Sequence, residues 1–333
     1  MTALLVVLAI GFAFSMGAHY TGACMGMPHA LRAVSGRNAL LVMAPLTLAG
    51  AALASHRVER TVGHDLLTGR GLSVSALVIV IGVAFGLTSL FNVVRVPTST
   101  IQILVFSVVG AGLAAGTGVH WAAIGTLAVI WVAAPVVAGL AGYALTRLLD
   151  LVPAIRVQSQ VTGEVLTGHA GGPLAAGLVI VGALASFTMG GNDVANATGS
   201  LVGTGTFSPL AAGLIGGAGL AAGVLTWGRP LLRKVAFDIV TVDRPMATAA
   251  QLVQAAVVLA AVGFGFFTSM NQALIGAMTG AAAARGRRTV HAAALYGVLR
   301  GWLIGPGAAI VLGYALSWLV AATAGARVLL AAG

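Results

Sequence analysis

A chain of 333 residues that is 59% hydrophobic and 7% charged, with mean hydropathy +1.03, has too little polar surface to enclose a water-soluble core, so lipid must be its solvent. Its net charge of +10 reads as basic loops beside anionic lipid rather than a nucleic-acid surface, and no nucleic-acid partner is expected. A single cysteine, Cys24, excludes an internal disulfide and any thiolate metal cluster.

Apolar segments are predicted first over 1–27, 38–55, 72–91, 98–116 and 119–148. A run near 18 residues or longer can cross a hydrocarbon core of about 30 Å as a helix. The first lacks a basic n-region and is read as a span, not a cleaved signal. It ends in a glycine-punctuated polar insert containing His19 and Tyr20, and the fourth opens on Pro97-Thr98-Ser99-Thr100 with Gln102. The most polar interval, 150–171, follows. Five more segments are predicted near 172–199, 208–228, 246–266, 268–284 and 291–324.

The second set repeats the first. Ala13 to Gly26 returns as Ser186 to Gly199, an offset of 186 − 13 = 173 residues, and Arg60, Val62 and Asp65 fall opposite Arg233, Val235 and Asp238. Thr98, Ser99 and Gln102 answer Thr268, Ser269 and Gln272, and Trp131 and Pro135 answer Trp302 and Pro306. The expected architecture is therefore an all-α polytopic membrane protein of two repeats, each with about five membrane segments and broken or re-entrant helices. The repeats are assigned to 1–149 and 172–333, with a cytoplasmic linker at 150–171.

An odd number of segments per repeat makes the second copy enter from the opposite side, so equivalent loops should differ in basic content. The loop at 28–37 has Arg32 and Arg37 where 200–208 has no charge, and 117–118 has none where its partner has Arg285, Arg287 and Arg288. This fits inverted repeats with both termini extracytoplasmic, although Arg57, Arg60 and Arg70 would then lie outside. Sixteen arginines against one lysine, with abundant Ala and Gly, hint at a GC-rich bacterial genome and hence a bacterial cytoplasmic membrane.

Of the seven acidic residues, Asp193 alone sits amid an apolar segment. A carboxylate at membrane depth is a functional-site candidate. Gly190-Gly191 is expected to break the helix before it, and Asn192, Asp193 and Asn196 would then offer hard oxygen ligands to a small coupling cation such as sodium. Thr98, Ser99, Thr100 and Gln102, mirrored by Thr268, Ser269, Asn271 and Gln272, place hydroxyls and amides at two helix starts. Such neutral donors, with the partial positive charge of the helix ends, suit a tetrahedral oxyanion that must leave again.

Gly190-Gly-Asn-Asp-Val-Ala-Asn196 resembles the signature of the inorganic phosphate transporter family, and Pro97-Thr-Ser-Thr100 resembles its Pro-x-Ser-Thr-Thr element. The likeness covers almost the whole chain. It implies a sodium- or proton-coupled symporter of inverted repeats that imports phosphate, with the anion held by Thr98, Ser99, Thr100, Thr268 and Ser269, and with no cofactor beyond the coupling ion. A homodimer is compatible with it.

The departures lie in the first repeat, where His19-Tyr20 replaces the family's second Asn-Asp pair, and at Phe267 and Met270, which alter the second hydroxyl motif. They are similar to the family's sulfate permease branch and put two-sodium coupling in question. Against sulfate stands Asp193, because a carboxylate accepts a proton from hydrogen phosphate and repels fully ionised sulfate unless a cation lies between them. His19, with an unperturbed pKa near 6.5, is a candidate to take part in coupling by protons. The remaining histidines form no metal-ligand spacing, no nucleotide-binding loop is present, and the 47 glycines read as close helix packing. A passive anion channel is the alternative of another class. A membrane enzyme would need an acidic or histidine partner for Asp193, which its own motif lacks.

Overall fold

The computed structural model describes residues 1–56, 58, 66–68, 71–153, 155, 172–232, 243–286 and 292–331. In chain order its helices are α1 (Thr2–His19), which passes through a π-helical turn (Gly22–Gly26) into the short α2 (Met27–Ala30), then α3 (Gly36–Ala54), α4 (Val74–Val93), α5 (Thr100–Ala115) and α6 (Trp121–Leu149). The second half supplies α7 (Pro173–Gly203), α8 (Pro209–Trp227), α9 (Arg244–Gly263), α10 (Met270–Ala284) and α11 (Ala292–Ala324). Each predicted segment begins within two residues of a helix start. Among the described residues eight helical stretches are long and apolar enough to cross a membrane, and the chain is a multi-pass membrane protein.

α5 and α10 are the exceptions, with 16 and 15 residues. At 1.5 Å per residue they rise about 22–24 Å, short of the hydrocarbon core. The residues that open them, Thr98–Thr100 and Thr268–Met270, are fully buried. The passages α4–α5 and α9–α10 are therefore broken inside the protein, and both breaks are built alike. After α4 the Val96 N–H reaches back to the Phe91 carbonyl, and after α9 the Phe266 N–H reaches back to Ala261. This turn needs a left-handed residue; Arg95 (φ 56°) and Gly265 (φ 78°) provide it at positions 170 apart.

Packing is exchanged between the halves. α1 lies on α8 and α7 on α3; α5 lies on α11 and α10 on α6; α4 touches α1 and α5 as α9 touches α7 and α10. Swapping the halves maps this pattern onto itself. Glycines permit the closest crossings. A Cβ on Gly17 would overlap the Leu220 carbonyl oxygen and one on Gly190 the Thr47 oxygen, while Gly50 and Gly223 meet the Phe187 and Phe14 oxygens in the same way. Each pair is related by the 173-residue offset.

That packing corrects one expectation. Gly190-Gly191 does not break its helix, since α7 runs unbroken from Pro173 to Gly203. The two glycines let α7 approach α3 against Thr47, Ala51 and Ala54. The interruption occurs in the first half only, at the π turn after His19.

One end of the bundle carries a two-residue antiparallel ladder, Leu67–Thr68 with Gly118–Val119, and a bridge from Leu72 to Leu330. Elsewhere Arg285 at the end of α10 bonds Asp150 after α6 (2.7 Å) and Asp243 at the N-cap of α9 (3.0 Å). Arg57, Arg60, Val62, Asp65, Arg70, Arg233, Lys234, Val235, Asp238, Arg287 and Arg288, used above for register and orientation, lie outside the described residues. So does the linker at 156–171.

Candidate functional site

The two broken passages bring α5 and α10 nose to nose. The Asn271 side-chain N–H donates to the Thr98 carbonyl (2.9 Å), and the Gln272 amide donates to Gln102 Oε1 (3.5 Å). Each helix is capped by a serine. The Ser99 hydroxyl accepts from the Gln102 N–H and the Ser269 hydroxyl from the Gln272 N–H, at 3.5 and 3.4 Å. A cap uses the oxygen and leaves the O–H free to donate, and the first N–H groups of each helix have no intrahelical acceptor. Two buried helix N-termini thus converge, an arrangement that favours an anion.

The predicted hydroxyls have different fates. Thr98 Oγ1 donates to the Gly301 carbonyl of α11 (3.2 Å), and Thr100 Oγ1 pairs with the Tyr20 hydroxyl (2.9 Å). Thr268 Oγ1 is buried with no protein partner. Ser99, Ser269 and Thr268 therefore keep donors available, as Thr98 does not.

The inserts on α1 and α7 hold these breaks in place. Asn192 grips the Thr268 peptide at both ends, donating from Nδ2 to its carbonyl (2.9 Å) and accepting its N–H at Oδ1 (3.2 Å). His19, 173 residues earlier, meets the Thr98 N–H at Nε2 (3.2 Å). Its Nδ1 lies 2.6 Å from Asn92 Oδ1. Both ring nitrogens are thus engaged in structural bonds.

Asp193 is fully buried beside Asn192 and Tyr20. Its Oδ1 accepts from Asn196 Nδ2 at 3.4 Å, while its Oδ2 and Asn196 Oδ1 have no hydrogen-bond partner. Both ion pairs seen among the described residues belong to Arg285, so no basic side chain balances this carboxylate there. Uncompensated buried oxygens suit a small cation such as sodium, or a proton. No group of three or more His, Cys, Asp or Glu that would hold a transition metal exists among the described residues.

A cavity of about 340 Å³ leads to Asn196 along Ser200 and Gly203 of α7 and Thr204 just beyond it, walled opposite by Val80 and Ile81 of α4. Such a volume admits several waters. The matching positions in the first half are apolar. Ala23, Met27 and Leu31, which correspond to Asn196, Ser200 and Thr204, are buried. The Gln251 amide of α9 donates to the carbonyls of Ala23 and Cys24 in the π turn, each at 2.7 Å.

Sequence reasoning left Tyr20, Asn92, Gln251 and Gln254, whose amide donates to the Met270 carbonyl at 3.4 Å, out of the site. A signal existed for the last two, since paired amides one turn apart in an apolar span seek buried partners. Asn92 gave none, because its partner lies 73 residues away.

Comparison with known proteins places the chain among membrane transporters. The sulfate permease CysP of Bacillus subtilis is 26% identical over 318 residues, covering 93% of this chain and 86% of that protein. The probable low-affinity inorganic phosphate transporter of Mycobacterium leprae is 27% identical over 296 residues, covering 83% and 68%. A solved structure titled "The sodium-dependent phosphate transporter" shares the fold, with a TM-score of 0.84 at 21% identity over 97% of this chain and all of that one. The family model of phosphate transporters matches residues 16–313. Converging helix starts, a buried carboxylate and this span of similarity lead to one conclusion: the chain belongs to the phosphate transporter family.

Proposed function

We propose that the protein is a cation-coupled secondary transporter that imports inorganic phosphate across a bacterial cytoplasmic membrane. The observation that carries this reading is the meeting of two serine-capped helix starts, one from each half, in a buried site beside an unpaired carboxylate. The anion would sit between the helix ends and take hydrogen bonds from Ser99, Ser269, Thr268 and the first N–H groups of α5 and α10. The coupling cation, sodium or a proton, would sit at Asp193 and Asn196 with Asn192 alongside, offsetting the charge of the anion. A further part for His19 in coupling would require its bonds to Thr98 and Asn92 to open during the cycle.

The halves 1–149 and 172–333 would act as inverted repeats that rock about the site. The conformation described has its cavity along the C-terminal part of α7, a side that the basic-loop asymmetry makes extracytoplasmic. The other side, where Gln251 bonds the π turn, would be cytoplasmic.

Phosphate is favoured over sulfate by Gln272 Oε1, an acceptor buried without a partner. Hydrogen phosphate can donate to such an atom, whereas sulfate cannot. The similarity to CysP supports sulfate as the second reading. Uptake of labelled phosphate and sulfate into proteoliposomes, with sodium and proton gradients imposed separately, tests both. Saturable phosphate uptake driven by one gradient is expected; preferential sulfate uptake supports the second reading, and non-saturating flux indifferent to gradients overturns coupled transport in favour of a channel.

A further inference from the structure

The grips on Thr98 and Thr268 are built from different parts. In the second half one amide does everything, since Asn192 both donates to the Thr268 carbonyl and accepts its N–H. In the first half the equivalent residue is His19, and its protonation pattern follows from its neighbours. Asn92 Nδ2 lies 2.8 Å from the Ser15 carbonyl and 3.1 Å from its hydroxyl. A carbonyl only accepts, so this atom is the amide nitrogen and Oδ1 faces the ring. An oxygen 2.6 Å from Nδ1 requires the proton there. The remaining nitrogen, Nε2, is then the acceptor for the Thr98 N–H (3.2 Å). It has no proton to give to the Thr98 carbonyl, although that oxygen also lies at 3.2 Å.

The missing donor comes from the other half. Asn271 Nδ2 donates to the Thr98 carbonyl at 2.9 Å and lies 3.4 Å from His19 Nε2. Position 101, which matches Asn271 in the first half, is isoleucine, and position 262, which matches Asn92, is valine. The arrangement therefore occurs once.

We propose that Asn271 is a positioning residue of the first half-site, supplying across the interface the carbonyl-directed donor that His19 cannot supply. Resting on the transport reading for its functional consequence, this makes the start of α5 dependent on α10, while the start of α10 is held by α7. The residue never needs to touch the anion. It acts by fixing the peptide that precedes the Ser99 cap.

Two measurements test this. In hydrogen–deuterium exchange on purified protein, Asn271→Ala should speed exchange across 97–102 by about five- to ten-fold, the effect of one buried bond. The same substitution after His19→Asn and Asn92→Val, which recreates the second half's set in the first, should leave exchange there within about two-fold of that background, because coupled residues are non-additive. In proteoliposomes Asn271→Ala should raise the KM for phosphate with little change in maximal rate, and more in the wild-type background than in the recreated one. An equal increment in both backgrounds, or unchanged exchange in Asn271→Ala, overturns the assignment. Should the triple variant not fold, the single variant's exchange at 97–102 still decides. Exchange as expected in a protein that takes up no phosphate would sink the transport reading and leave the grip standing.

Discussion

Asp193 is the residue on which the functional reading turns. Its carboxylate is fully buried, with Oδ1 accepting from Asn196 at 3.4 Å and Oδ2 without a hydrogen-bond partner, which makes it a candidate for a ligand that arrives there. Asp193→Asn keeps the shape and removes the charge. It is expected to weaken cation-driven uptake by about 10- to 100-fold, the loss of a charged contact worth about 1.5–3 kcal/mol, while anion binding measured without a gradient changes far less. Intact coupled uptake by this variant would refute the assignment. Ser99 and Ser269 have two duties, and their loss should show in two readouts. Ser99→Ala and Ser269→Ala should each raise the KM for the anion about three- to ten-fold through one lost donor. Each should also lower stability by about 0.5–2 kcal/mol through the lost cap. A drop in melting temperature with wild-type KM would mean that the hydroxyls are caps only.

At the scale of elements the helices were legible because hydropathy alone decides them in lipid, and every predicted segment found its helix. The interruptions were not. Gly190-Gly191 was expected to open a helix and instead brings two helices together, since a glycine in a membrane helix serves either purpose and one sequence does not say which. The break before α5 carries its left-handed turn on Arg95, which nothing in the local sequence marks. The polar clusters at Thr98 and Thr268 were read correctly as helix starts from their recurrence, but their division into caps, backbone bonds and free donors depends on Tyr20, Asn92 and Gly301, all remote in sequence. Glycine substitutions test the packing reading. Gly190→Ala should destabilise by about 1–3 kcal/mol because its Cβ meets the Thr47 backbone. Gly86→Ala, where a Cβ meets open space, should be neutral or stabilising by up to about 1 kcal/mol. Thermal unfolding in detergent compares them directly, and equal effects would contradict the contact.

On the scale of the whole molecule, the cavity lined by Ser200 and the buried position of Met27 should differ in access. In a Cys24→Ser background, Ser200→Cys should react with a membrane-impermeant thiol reagent added to intact cells. Met27→Cys, its counterpart 173 residues earlier, should be protected. Gln251→Leu removes the amide that bonds the Ala23 and Cys24 carbonyls, and should expose Met27→Cys from the cytoplasmic face. Labelling of Met27→Cys with Gln251 intact would show that the π turn does not protect that position.

The exchanged packing has a consequence for how the protein is made. The five most extensive helix pairings among the described residues, α5 with α11, α6 with α10, α3 with α7, α1 with α8 and α3 with α8, all join one half to the other. In physical terms the described part of the chain is a heterodimer whose subunit interface is its core. A half synthesised alone would present glycine-lined faces with nothing to fill them and would be cleared. Two genes encoding 1–155 and 172–333 should assemble into an active carrier when expressed together and yield no stable product when expressed singly. Recovery of either half as a folded, monodisperse protein on its own would show that the interior of each repeat, rather than the seam between them, holds the molecule together.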